Sequence, residues 1–297
     1  MSKNYLLGVA SYKDQFKQDF FENVTAKIFR EYCEIHNFEY IEITKDLEPI
    51  RGNLAWVKTY KVEEVLNNKL NHGDGLIIID ADALIIKKDL NLLPPDGKSF
   101  AYSIDTGNTH CFGFLSMIKN EWTVNLFKLL HDQERYDSLI DRVSFHEGKK
   151  VYNSHWKEFN EQASWYSLAG IKRHSNLPFW DLPNNGWHTD VNEWTVYSLE
   201  ELNKHVHIFP STYNVTELPG ESNCQYYINK VKYDDVVIRH FAGGQKWRKV
   251  WMNDKSIYFK IQKLNIFKFI PFYKAKQFIQ KLRGYILSKF KILFKSS

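Results

Sequence analysis

Cysteine is scarce in this 297-residue chain. Cys33, Cys111 and Cys224 are odd in number and show neither a metal-binding spacing nor an even set for a disulfide framework. That argues against a stapled, disulfide-rich fold and fits a reducing cytosol. Long apolar runs are also missing. None approaches the roughly 20 uninterrupted residues of a membrane-spanning helix, and the apolar part of Met1 to Ala10 is too short for a secretory signal, reading instead as a first strand. Internal repeats and low-complexity linkers are absent, so nothing points to a repeat array or a second core. Acidic residues are missing from one stretch only: Lys255–Ser297 holds eleven Lys and Arg and no Asp or Glu. Because the whole chain carries only +5, residues 1–254 are net acidic, which disfavours nucleic acid as a partner of that body.

Apolar and aromatic residues are plentiful. Hydrophobic residues make up 43% of the chain, enough for a real core, and the 16% aromatic content includes nine Trp and seventeen Tyr. Such richness suits surfaces that stack on sugar rings, although any single Trp is more often a core residue. The hydrophobic pattern predicts a strand over residues 5–11 and an amphipathic helix from about Asp19 to His36, with Phe20, Val24, Ile28 and Tyr32 on its apolar face. A strand over Glu39 to Thr44 and a helix over Leu54 to Asn67 follow. Further strands are expected at Phe100 to Ile104, Cys111 to Ile118, His205 to Pro210 and Val236 to Phe241, with a helix starting near Asn120. Alternating strands and helices imply an α/β fold with a mixed, mostly parallel sheet flanked by helices. Residues 131–160 and 172–200 read as loops laid over that scaffold, the second holding Trp180, Trp187 and Trp194.

The most informative segment is Leu76 to Ile86, where Asp80 and Asp82 interrupt an apolar strand. A continuous apolar run signals a strand buried on both faces, and a charge there is unfavourable unless a partner compensates it. The pair is therefore expected at the strand's end. Strand alternation would turn both carboxylates to one side, with Ala81 facing away, so that both serve one divalent ion. The plainer reading is a strand end whose acids cap a helix or meet Lys87 and Lys88.

A second strand, Val236 to Phe241, ends in His240 and runs on into Ala242-Gly243-Gly244-Gln245-Lys246-Trp247. Neutral imidazole completes an oxygen-rich site for a borderline metal such as manganese. Glycines let backbone amides approach phosphate oxygens, and Lys246 adds a point charge.

Here the chain resembles nucleotide-sugar-dependent glycosyltransferases of the GT-A fold, a Rossmann-like architecture, and in particular the retaining families 8 and 34. The likeness spans most of residues 4–251. It rests on Ala10-Ser11-Tyr12, the helix start Arg51 to Lys58 with Trp56, Asp80-Ala81-Asp82, Glu161-Gln162, Phe209-Pro210-Ser211-Thr212-Tyr213-Asn214 and His240-Phe241-Ala242-Gly243 with Lys246-Trp247, in the family order. The resemblance implies that Asp80, Asp82 and His240 hold Mn2+ or Mg2+, with Asp80 also near the ribose of a UDP-sugar donor. It implies that Ala10 and Tyr12 contact the nucleobase, that Gly243 and Lys246 hold the diphosphate, and that Lys58 lies near nucleotide and sugar. Glu161 and Gln162 match the segment flanking the anomeric carbon. Where many family 8 members have an Asn before the Gly of the strand after Asp-x-Asp, this chain has Cys111-Phe112-Gly113; Ala163 stands where they have an acid, and the Lys246-Trp247 pair lacks their intervening Pro, which places the chain between the two families.

These residue types suit the chemistry. Breaking a glycosyl phosphate bond builds negative charge on the leaving diphosphate, which a divalent Lewis acid and fixed donors stabilise. The anomeric centre becomes oxocarbenium-like and needs nearby oxygens, which Glu161 or Gln162 can supply. Asp105, His188 and Asp190 are further candidates for acceptor contacts or a base, with ordinary loop hydrogen bonds the commoner role. The expected activity is hexosyl transfer, of galactose or glucose, from a UDP-sugar to a saccharide or lipid-linked glycan. Two rivals share parts of the pattern: a nucleotidyltransferase or other metal-dependent phosphoryl-transfer enzyme, and a noncatalytic carbohydrate-binding protein. The expected division is a catalytic domain over residues 1–254 and a basic amphipathic helical tail over 255–297, broken by Pro271 and suited to a membrane interface. That tail implies peripheral contact with the cytosolic face of the cell membrane.

Overall fold

The computed structural model describes residues 2–10, 12, 14–44, 47–51, 54–107, 109–137, 145–146, 149–150, 161–171, 187–189, 191, 193–216 and 231–241. The predicted tail over 255–297 lies outside them.

Ten strands and the helices between them organise the described residues. β1 (Asn4–Val9), β2 (Glu39–Ile43), β3 (Gly75–Ile79), β5 (Phe100–Ile104), β6 (His110–Ile118) and β9 (Val206–Phe209) form one sheet in the order β2-β1-β3-β6-β5-β9. β1 pairs in parallel with β2 and β3, and β5 in parallel with β9. β6 runs antiparallel between β3 and β5, with a register shift at Tyr102 and Ser103. The sheet is thus mixed and mostly parallel, as the strand and helix alternation predicts. A second, two-stranded sheet pairs β4 (Ala83–Ile85) with β10 (Ile238–His240), and β7 (Phe145–His146) pairs with β8 (Lys149–Lys150).

Alternation along the central strands sends their side chains into two layers. Tyr5, Leu7, Leu76 and Ile78 join the cluster built with Val62, Leu66, Leu126, Phe127 and Trp165. These last residues belong to α3 (Leu54–Asn68), α4 (Glu121–His131) and α5 (Glu161–Ala169). Leu6, Ile77 and Ile79 turn the other way, onto Ala26, Phe29, Tyr32 and Cys33 of α2 (Ala26–His36). Every residue of β3 is buried, which is the signature of a central strand covered on both faces.

Capping side chains set the helix ends. Asn120 and Thr123 form a reciprocal capping box at the start of α4, and Ser198 does the same with Glu201 for α6 (Leu199–His205). Asn37 closes α2 in the left-handed conformation at φ 55°. The first helical segment departs from the predicted start at Asp19. Asp14 accepts a hydrogen bond from the Lys17 N–H and starts α1 at Gln15 (Gln15–Phe20), and a π-helical turn, Phe21–Thr25, joins it to α2. The wider turn lets two adjacent, fully buried phenylalanines reach different clusters: Phe20 packs with Leu84, Val215 and Phe241, Phe21 with Ile77 and Phe114.

Leu76 to Ile86 is not one strand. β3 ends at Ile79, the Asp80 carbonyl accepts from the Ala83 N–H across a tight turn, and β4 leaves the main sheet to pair with β10.

A buried histidine gives the fold a pH dependence. His110 opens β6 with its Nδ1 2.6 Å from the Tyr102 hydroxyl, which also accepts a hydrogen bond from Trp187 Nε1. Burial pushes His110 from 6.5 down to about 4. The folded state therefore binds this proton less readily than the unfolded chain. The associated stability is complete above pH 6.5 and is lost as pH falls toward 4, by about 3 kcal/mol in all. Urea midpoints followed between these values are predicted to fall less steeply in His110→Gln than in the wild type, and equal slopes would exclude this assignment.

Candidate functional site

The site lies at the corner where the chain passes from β3 to β4. Asp80 donates its N–H to the Gly113 carbonyl, the last rung of β3 against β6, and the Phe241 N–H donates to the Asp82 carbonyl beside β10. Those contacts place His240 opposite Ala83 in the β4-β10 register. His240 Nε2 stands 3.2 Å from Asp82 Oδ1 and 3.5 Å from Asp80 Oδ2. One ligand atom from each of the three lies within 4.8 Å of the others. The turn, not strand alternation, brings the two carboxylates together, and Ala81 between them both packs into the core and lines the same cleft, not facing away from it.

This donor set fits a divalent cation. Two carboxylate oxygens and an imidazole nitrogen suit manganese or magnesium, and adjacent ligands of an octahedral ion stand roughly 3 Å apart, close to the observed spacing. Burial lowers the His240 pKa, but the charge of Asp82, the hydrogen bond to it and the nearby Cys111 and Asp80 outweigh burial and carry it up to about 10. Without an ion the ring is an imidazolium that balances the carboxylates, so proton and metal compete for one place.

A cleft of about 240 Å3 opens beside the corner, lined by Ala10, Tyr12, Lys58, Asp80, Asp82 and Glu161 among others. Six residues assigned from sequence to metal, nucleotide or sugar thus share one cavity. Ala10 follows β1, its N–H bonded to the Ile43 carbonyl, and Tyr12 donates its N–H to Gln18. Lys58 projects from α3. Its ammonium donates to Asp80 Oδ1 at 2.6 Å and to the Phe112 carbonyl at 2.7 Å, and lies 3.8 Å from Glu161 Oε1. Burial alone would lower the Lys58 pKa, but the charges of Asp80 and Glu161 hold it above the usual lysine value. Burial raises Glu161, helped by Asp80 and opposed by Lys58.

Glu161 and Gln162 open α5 but differ in freedom. Gln162 Oε1 accepts from the Phe112 N–H at 3.2 Å, and its Nε2 donates to the Tyr166 hydroxyl at 2.8 Å. Glu161 Oε2 is buried with no hydrogen-bond partner among the described residues.

Other sequence candidates take structural roles. Asp105 accepts from the Thr109 N–H, and His188 Nε2 bonds with the Tyr197 carbonyl. Trp187 packs against the main core, and Trp194 against the cluster of Trp56 and Ala163. Gly243, Lys246, Trp180 and Asp190 lie outside the described residues. Sequence reading assigned no role to Phe112, Gly113 or Asn214. Asn214 stood in a quoted motif, whereas a carbonyl ligand such as that of Phe112 has no sequence signal.

No family model matches the chain, and no curated protein matches it. Among solved structures the chain is similar to a glycosyltransferase involved in glycosylation of the major capsid of PBCV-1, at 12% identity and a TM-score of 0.47, over 84% of this chain and 98% of that one. It is also similar to the glycosyltransferase GlyE of Streptococcus pneumoniae TIGR4, at 11% identity and a TM-score of 0.43, over 87% of this chain and 62% of that one. A third is the galactosyltransferase LgtC in complex with donor and acceptor sugar analogues, at 11% identity and a TM-score of 0.40, over 88% and 95%. Identities this low carry no substrate across to this chain.

Removal of either carboxylate tests the cation site. Asp80→Ala and Asp82→Ala are each predicted to weaken Mn2+ binding, read by electron paramagnetic resonance, by more than the 10–100-fold typical of an outer-shell change. Undiminished Mn2+ binding in both would exclude the triad.

Proposed function

We propose that this chain is a metal-dependent glycosyltransferase of GT-A type that moves a hexose, galactose or glucose, from a UDP-sugar to a saccharide or lipid-linked glycan acceptor with retention of configuration. One observation carries the reading: Asp80, Asp82 and His240 meet at the edge of a cleft that also holds Ala10, Tyr12, Lys58 and Glu161. A Mn2+ or Mg2+ ion held by the triad would supply Lewis-acid stabilisation of the leaving diphosphate.

The other residues divide the remaining work. Ala10 and Tyr12, at the end of the cleft formed by β1, would receive the nucleobase. Lys58, held between Asp80 and Glu161, adds positive charge beside the donor. Gly243 and Lys246 follow His240 closely in sequence and would complete the diphosphate cradle. Gln162 has both ends of its amide bonded to the scaffold, whereas Glu161 lines the cleft and its buried Oε2 has no hydrogen-bond partner among the described residues. Glu161 is therefore the carboxylate assigned to the oxocarbenium-like centre, and Gln162 a residue that ties α5 to β6.

Incubation of the purified chain with Mn2+ and a panel of UDP-sugars tests the activity through slow release of UDP. Release of UDP from one sugar nucleotide supports transfer. Release of UMP or pyrophosphate instead identifies a phosphoryl- or nucleotidyl-transfer enzyme, and glycan binding that survives Asp82→Ala a binding module. Glu161→Gln is predicted to reduce turnover by about 100-fold or more while leaving UDP affinity nearly unchanged; equal loss of both would remove Glu161 from the reacting centre.

The basic stretch 255–297 gives the proposal its location, at the inner face of the cell membrane. The full chain is predicted to sediment with vesicles containing anionic phosphatidylglycerol and to be released by high salt. Indifference to lipid charge would rule out this anchoring.

A further inference from the structure

His240 has two ring nitrogens and two different neighbourhoods. Nε2 faces the carboxylates of Asp80 and Asp82, while Nδ1 lies 2.9 Å from Asn214 Oδ1. Asn214 is fully buried and turns its Oδ1 toward the ring, its Nδ2 having no hydrogen-bond partner among the described residues. An amide oxygen only accepts, so the neutral ring that takes up an ion in place of the Nε2 proton keeps its proton at Nδ1 and offers the Nε2 lone pair.

The surrounding backbone holds this pair in place. Asn214 ends a short 3-10 turn, Ser211–Tyr213, and its N–H donates to the Ser211 carbonyl. The next residue, Val215, accepts from the His240 N–H, and Arg239 Nη1 donates to the carbonyls of Val215, Thr216 and His240. Beneath them lies Gly113 of β6. A Cβ there would sit 2.6 Å from His240 Nδ1 and 3.1 Å from Asn214 Oδ1. Ring and amide therefore rest directly on a strand backbone that only glycine leaves open.

We propose that Asn214 is a positioning residue for the metal ligand His240: by accepting the Nδ1 proton, and with Gly113 as its seat, it fixes the tautomer and ring orientation that direct Nε2 at Asp80 and Asp82. This rests on the metal-dependent reading above. Loss of the acceptor leaves the ring able to turn or to carry its proton at Nε2, where the cation binds.

Mn2+ titration followed by electron paramagnetic resonance tests the assignment. Asn214→Leu is expected to lose about 10–100-fold in affinity, whereas Asn214→Asp, which still presents an oxygen, stays close to wild type. A purely structural role predicts lowered thermal stability with unchanged Mn2+ affinity in folded Asn214→Leu, and that result would overturn the proposal. Should Asn214→Leu not fold, long-range nitrogen-15 spectra of the Mg2+-loaded wild type decide: a protonated Nδ1 on His240 supports the assignment, and a protonated Nε2 defeats it. Absence of any Mn2+ binding by the wild type would instead refute the metal site itself.

Discussion

The whole site depends on the compensation of two carboxylates placed at the end of a strand that is buried on both faces. β3 runs Gly75–Ile79 without one exposed residue, and Asp80 and Asp82 follow at once. Charges so close to the core need partners. The fold provides two basic groups on different elements, Lys58 from α3 at Asp80 Oδ1 and His240 from β10 at Asp80 Oδ2 and Asp82 Oδ1. Neither is near the aspartates in sequence.

The break between β3 and β4 is what makes that convergence possible. A single strand through residue 86 would have kept the chain in the main sheet. Instead the turn closed by Asp80 and Ala83 sends β4 into a separate pairing with β10, and that pairing fixes His240 across from Ala83. Phe20, carried inward by the π-helical turn, packs edge-on against Phe241 at 5.8 Å between ring centres, so even a local irregularity in the first helix supports the strand that bears the histidine. Arg239, fully enclosed, binds three carbonyls of the same region and lies over the Phe241 ring at 4.4 Å. His240 stands on a paired strand, and Asp80 and Asp82 stand on the tight turn between β3 and β4, whose backbone is bonded to Gly113 on one side and Phe241 on the other.

Much of this was legible in the sequence, for reasons that can be named. Runs such as Leu76 to Ile79 and Phe100 to Ile104 are short, apolar and bounded by polar residues, so their strand character needs no tertiary information. Asn120 marks a helix start through its own side chain. The Asp pair announced a strand end because burial of unpaired charge is unfavourable anywhere. Features set by distant partners were hidden. The turn at residues 80–83 depends on β10, more than 150 residues away, so alternation along one continuous strand was the natural but incorrect geometry. The π-helical turn answers to two separate clusters that claim Phe20 and Phe21. Gln162 looked equivalent to Glu161 until the Phe112 N–H was seen to occupy its oxygen, and Gly113 reads as an ordinary strand glycine until His240 and Asn214 are placed over it.

Anomalous diffraction at the manganese edge, from crystals of the full chain grown with Mn2+ and UDP, tests the central claim most directly. The account predicts one peak within bonding distance of Asp80, Asp82 and His240 Nε2, bridged to the diphosphate, with the uracil toward Ala10 and Tyr12. A peak elsewhere, or UDP bound with the three side chains in contact only with one another, would contradict it.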